Sequence, residues 1–238
     1  MQSKSGLKIR NMVFIAMFAA MAYVAMLFIH IKVSFLTLDV KDAVITLCGL
    51  YFGPLGALFI SVLVPLFELI SVSDTGPYGL IMNILGSVSF SMTASLIYRW
   101  KKTFKGAILA LGSAAVTMVG VMMLANLLIT PYYMGVTADA VRGMIPTLLL
   151  PFNAVKAVLN VGFVLLFYKS LSRALRKTGF LPRSKSARAG ADDASAAPVR
   201  AKRFTTTIVM TGVAVLLIAA AMVLIFTVLG GKFTFGIN

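Results

Sequence analysis

Apolar residues run through this chain in long blocks separated by short polar or glycine- and proline-rich breaks. The first block extends from Asn11 to Ile31 behind Lys4, Lys8 and Arg10. It is too long for the apolar region of a signal peptide and ends at His30 and Lys32, not at a small-residue cleavage site. It reads as a retained membrane helix. Asp39 to Phe52 is a shorter apolar stretch, about 21 Å as a helix and short of the roughly 30 Å hydrocarbon core. Gly53-Pro54-Leu55-Gly56 breaks the chain, and a third helix is predicted from about Leu55 to Ser71, carrying Pro65. Further helices are predicted from about Tyr78 to Tyr98, Phe104 to Ile129 and Leu148 to Leu171. An uncharged run, Thr207 to Gly230, is long enough to span a bilayer by itself.

Composition agrees with this pattern. Of 238 residues, 60% are hydrophobic and 12% charged, against about 25% charged in an average soluble domain. The expected fold is an all-α integral membrane protein, a six-helix bundle over residues 1–180. A basic cytoplasmic linker is expected at 181–203, and an additional C-terminal transmembrane helix with a short tail at 204–238.

The net charge of +15 would fit nucleic acid if it were clustered on one face. Instead, seventeen of the 22 Lys and Arg fall at one end of the predicted bundle: near the N-terminus, at 99–105 and at 169–203. Lys32, Lys41, Arg142 and Lys232 fall at the other end. By the positive-inside rule the N-terminus is cytoplasmic and, if the seventh helix spans, the C-terminus is extracellular.

Polar residues inside apolar runs are the informative ones in a bilayer. Glu68, Asn83, Asn126, Asn153 and Lys156 all fall in the outer half of the predicted bundle. Asn153, Lys156 and Asn160 share one helix face at i, i+3 and i+7. Amides tie membrane helices together routinely, but five polar groups at one depth, a lysine among them, point to a ligand pocket open to the outside. Paired donors and acceptors suit a planar heterocycle, for which Phe35, Tyr78, Tyr132 and Phe152 supply aromatic surface. With one lysine and no arginine cluster, a polyphosphate ligand is disfavoured. The apolar stretch Val33–Asp39 reads as a gate over that pocket.

A lone cysteine, Cys48, excludes an internal disulfide and a cysteine-cluster metal site, and a lone His30 cannot anchor a zinc motif. No HExxH, GxSxG, Walker lysine loop or membrane aspartate pair is present. The chain reads as a transporter component, not an enzyme. Glu68 is the acid through which a proton-coupled carrier would have to work. A scaffold whose amides only pack helices is a further alternative.

Five segments resemble the substrate-binding (S) components of energy-coupling factor (ECF) vitamin transporters, most of all the riboflavin-specific members. They are Ala16-x-x-x-Ala20, Phe35–Asp42 (FLTLDVKD), Gly53–Gly56, Asn126–Tyr132 (NLLITPY) and Pro151–Lys156 (PFNAVK). The resemblance covers about residues 8–180. It implies a six-helix protein that binds riboflavin, or its phosphate ester FMN, as transported ligand and needs no catalytic cofactor. It implies docking through Ala16 and Ala20 onto a transmembrane coupling subunit, itself bound to two ATPase subunits. Asn126, Asn153 and Lys156 are carried over as ligand contacts, with Leu38 and Asp39 from the matching loop. Thiamin, biotin or pantothenate are the alternative ligands within the same family. Where riboflavin members often carry a lysine in the third helix, this chain has Glu68. The seventh apolar run lies outside the family plan and is expected to be dispensable for binding.

Overall fold

The computed structural model describes residues 4–177, 197–227, 229–230 and 232–233. Helix α1 spans Lys4–Phe28, with Phe18, Ala19, Ala22 and Met26 turned into the protein and Met12, Met17, Met21 and Val24 outward. The helix stops short of the end of its apolar run. Ile31–Val33 and Leu36–Leu38 form strands β1 and β2 of an antiparallel hairpin. Ser34, with φ of 56°, takes the left-handed conformation that a two-residue hairpin turn requires. Period-two burial of Ile31 and Val33 then replaces helical burial.

Helix α2, Lys41–Phe52, is only 12 residues long and buried on most of its circumference. Gly49 makes that possible, because a side chain there would collide with Ser95 on the helix opposite. Gly53, at φ 97°, breaks the helix, and Pro54 starts α3, Pro54–Ser71, at the position where a missing N–H costs nothing. Helices α4, Gly76–Trp100, and α5, Phe104–Met134, follow. Ser61 on α3 and Ser91 on α4 share a 2.9 Å hydrogen bond in the apolar interior. α5 runs on through Pro131 to a left-handed Gly135 cap, past the Ile129 end read from the sequence.

The sixth predicted helix also begins earlier than its apolar run. Thr137 caps a short α6, Ala138–Met144, by accepting from the Ala140 N–H. A π-helical turn, Ile145–Leu149, leads into α7, Leu150–Lys177. α8 occupies Ala197–Thr227, so it starts inside the segment expected as linker, and a short strand β3, Lys232–Phe233, follows. The remainder of the expected linker, residues 181–196, lies outside the described residues, as do residues 178–180 before it.

Among the described residues, five helices are long and apolar enough to cross a membrane: α1, α3, α4, α5 and the α6–α7 segment. The protein is an all-α multi-pass membrane protein. One apolar core joins α1 to α5 and α7, through residues such as Phe18, Cys48, Phe90, Ala114, Met118 and Val164. A second lies under the hairpin and includes Ile31, Leu38, Phe152, Leu159 and Ile225.

Candidate functional site

A cavity of about 250 Å³ opens at the end of the bundle that carries the β1–β2 hairpin and the α3–α4 turn. The hairpin, the ends of α3 and α5 and the starts of α4 and α7 line it. All five polar residues singled out from the apolar runs, Glu68, Asn83, Asn126, Asn153 and Lys156, face this space.

Beside the cavity lies a chain of alternating charges. Lys156 Nζ donates to Asp39 Oδ2 at 3.0 Å and to the Thr37 carbonyl at 3.3 Å. Lys41 Nζ donates to the same Asp39 oxygen at 3.1 Å and to Glu68 Oε2 at 2.7 Å. Asn83 Nδ2 closes the chain on Glu68 Oε1 at 3.0 Å. The Asp39, Lys41 and Glu68 side chains are almost wholly withdrawn from solvent, so their charges are balanced by one another and not by water. Two residues of local sequence create the hub: Asp39 Oδ1 accepts the Lys41 backbone N–H at 3.2 Å, fixing the turn that starts α2. Asn160 secures the same turn from α7, accepting the Ala43 N–H at 2.8 Å and donating to the Asp39 carbonyl at 3.4 Å.

At the mouth, Lys32 on β1 pairs with Asp74 in the α3–α4 turn. Asp42 accepts from the Ser87 hydroxyl and sits in the first turn of α2, where the helix dipole favours an anion. Burial pushes the His30 imidazole below its ordinary pKa, against the opposing pull of Asp39 and Glu68. It is therefore neutral near pH 7. Each lysine at the cavity thus has a carboxylate partner, and Asp42 is the cavity carboxylate held by a hydroxyl and not by a lysine.

Asn126 Nδ2 donates to the Met122 carbonyl at 2.7 Å, and its Oδ1 accepts from Thr130 at 3.0 Å. Asn153 Nδ2 donates to the Leu149 carbonyl at 2.8 Å. Aromatic surface comes from Phe35, Tyr78, Phe152 and Tyr133. Tyr133 stands 6.4 Å from Phe35 and 6.2 Å from Tyr78, centroid to centroid.

The structure redistributes several residues read from the sequence. Tyr132 does not join the aromatic group: it is 77% exposed on the outer face of α5, and Tyr133, the next residue round the helix, takes the place expected for it. Leu38 and Asp39 do not line the cavity. Alternation along β2 and the start of α2 turns Leu38 into the apolar core beneath the hairpin. Asp39 acts on the cavity through Lys156. Sequence reading missed Lys41 as the hub, together with Asp42 and Thr130. Its available signal was an opposite-charge pair, Lys41 and Glu68, within two otherwise apolar stretches. Ala16 and Ala20 both lie on the exposed face of α1, next to Met17 and Met21 and away from the packed Ala19 and Ala22.

A bundle of membrane helices with a polar, aromatic-lined cavity at one end is the arrangement of a protein that receives a small ligand within the membrane. Residues 10–171 match the family described as "ECF transporter, substrate-specific component". The chain belongs to that family, and is a component of vitamin transport that works with the subunits of an ECF module. It is 30% identical over 180 residues to the riboflavin transporter RibU of Staphylococcus aureus (strain TCH60), a match covering 71% of this chain and 93% of that one. A solved structure described as the S component of a bacterial ECF transporter superposes with a TM-score of 0.62 at 27% identity, covering 71% of this chain and 98% of its own. The family match stops before α8 and β3.

Proposed function

We propose that this protein is the riboflavin-binding subunit of an ATP-driven importer, and that the cavity holds the vitamin. The observation that carries this reading is the combination of amides, aromatic rings and carboxylate-paired lysines in one space. An uncharged, flat heterocycle with a polyhydroxyl chain needs ring surface and hydrogen-bonding groups, and gains nothing from an unpaired ion. Asn126, Asn153 and Lys156 would hold its polar edges, with Phe35, Tyr78 and Tyr133 against its face. The 30% identity to a riboflavin transporter supports the same ligand. FMN fits less well, because Lys32, Lys41 and Lys156 each already have a carboxylate partner. The same pairing of the lysines disfavours anionic biotin or pantothenate.

Ala16 and Ala20 form the docking face for the transmembrane coupling subunit, their small side chains letting a partner helix approach closely. ATP is hydrolysed by two ATPase subunits on the cytoplasmic side. The charge asymmetry supports a cytoplasmic N-terminus and a cavity that faces outside. Glu68 is already committed to Lys41 and Asn83, which argues against a proton-coupled carrier. The test is titration of purified protein with riboflavin, FMN, thiamin, biotin and pantothenate, followed by flavin fluorescence or calorimetry. Riboflavin is expected to bind tightest. Preference for any of the others would replace the ligand, and binding of none would refute the site.

A further inference from the structure

α8 and β3 lie beyond the family match, yet they contact two walls of the cavity, α7 and the β1–β2 hairpin. α8 packs on α7, with Ala214, Ala221 and Ile225 almost wholly buried. Gly162 on α7 is the seat. A Cβ at that position would come within 2.9 Å of Ile218 Cγ1 and 3.3 Å of the Ala214 carbonyl, closer than such contacts normally stand. Ala221 and Ile225 share one apolar cluster with Leu38 and Val40 from the hairpin side and Val155 and Leu159 of α7. At the end of α8 the chain turns back and β3 pairs antiparallel with β1, setting Lys232 opposite Lys32 and Phe233 opposite Ile31. β1 is thus the middle strand of a three-stranded sheet in the order β2-β1-β3, and the hairpin is paired to β3 along that strand. Hairpin residues Lys32, Ser34, Phe35 and Thr37 line the cavity. Elsewhere the hairpin is tied by side chains, through Lys32 to Asp74, Phe35 to Tyr133 and Lys156 to the Thr37 carbonyl.

We propose that α8 and β3 form an intramolecular brace that anchors the hairpin against α7, so that ligand leaves only when the hairpin parts from β3. This rests on the reading of the cavity as the ligand site. The brace positions the wall that carries Thr37 and, through it, the Lys156 contact. It does not itself touch the ligand.

The test uses the full chain with Cys48→Ala, carrying Lys32→Cys and Lys232→Cys. Facing positions in antiparallel strands have Cα separations within reach of a disulfide. Riboflavin release is followed by fluorescence after dilution, with the oxidised and reduced forms of one preparation compared, so that the loss of Lys32 cancels. Release is expected to be at least tenfold slower when oxidised. Equal rates in the two forms overturn the proposal. Gly162→Leu, which lifts α8 from its seat, is expected to speed release several-fold, and an unchanged rate overturns it. Ile225→Ala makes the same test from α8 alone if Gly162→Leu does not fold. Asn153→Ala separates the two levels of inference. If it weakens riboflavin binding while the brace variants change nothing, the brace fails and the site stands. If it too changes nothing, the site assignment fails.

Discussion

Replacing Lys41 by Met probes the charged hub directly. The Lys41 side chain is inaccessible to solvent, and it bridges Asp39 at 3.1 Å and Glu68 at 2.7 Å. The two carboxylates are not left equally exposed by its loss. Asp39 keeps Lys156 at 3.0 Å, whereas Glu68 keeps only the Asn83 amide. The stranded charge is therefore that of Glu68. Removing one partner of a buried pair destabilises by about 3–5 kcal/mol. At roughly 2–4 °C per kcal/mol for a chain of this size, Lys41→Met should melt roughly 6–20 °C lower in detergent without ligand.

The double variant Lys41→Met with Glu68→Met supplies the decisive comparison. It removes the stranded charge and leaves the Asp39–Lys156 pair balanced. Substituting well-packed apolar residues for a buried ion pair is often neutral or stabilising, so most of the lost melting temperature should return. The non-additivity measured by such a cycle is itself the coupling between the two side chains. A single variant as stable as the parent, or a double variant no better than the single, would refute the assignment of Lys41 and Glu68 as mutually dependent charges.

Other expectations follow from the same geometry. Asn126→Ala or Asn153→Ala should weaken riboflavin binding by about 1–3 kcal/mol, roughly 5- to 150-fold, as read by fluorescence titration. Tyr133→Ala should lower affinity by at least fivefold while Tyr132→Ala, altering a side chain on the outer face, leaves the titration curve in place. Ala16→Trp and Ala20→Trp should abolish co-purification with the coupling subunit but keep riboflavin affinity. Persistence of assembly in both would remove α1 from the interface.

The polar side chains in apolar runs were legible because a bilayer leaves such groups few places to go. Glu68, Asn83, Asn126, Asn153 and Lys156 belong to four different helices, and their common depth alone predicted that they meet. Hairpin formation was not legible. Ile29 and Ile31 extend the apolar run of α1, and the left-handed Ser34 with the pairing to β2 and β3 makes the segment from Ile31 a strand. The choice of Tyr133 over Tyr132 depends on the rotation of α5 where it passes Pro131, which hydropathy does not record. Lys41 looked like an interfacial cation when counted by sequence position. Its burial depends on Asp39 and on Glu68, the latter 27 positions away along the chain. The early start of the α6–α7 segment, at Ala138, came from a threonine cap and not from apolarity.

The way the amides are held bears on how firmly the proposed site would bind an uncharged ligand. Asn126, Asn153 and Asn160 each donate to the carbonyl four residues earlier on their own helix, at 2.7, 2.8 and 3.0 Å. Such bonds restrain the side-chain torsions before any ligand arrives. Ordering a rotamer-rich side chain on binding costs about 0.5–1.5 kcal/mol, and here that ordering belongs to folding instead. Each amide retains hydrogen-bonding capacity beyond the bond it makes to its helix. For Asn160 that capacity is consumed by Ala43 and Asp39, which fix the start of α2 and so the position of Lys41. For Asn153 the carbonyl and second N–H remain for the cavity. Residues of one type on one face of α7 thus divide into a group that builds the wall and a group that meets what enters it. That division predicts different failures: Asn160→Ala should lower melting temperature and ligand affinity together, whereas Asn153→Ala should lower affinity with little change in melting. Paired melting and binding measurements on both variants would separate the roles, and identical profiles would show that the two amides do the same work.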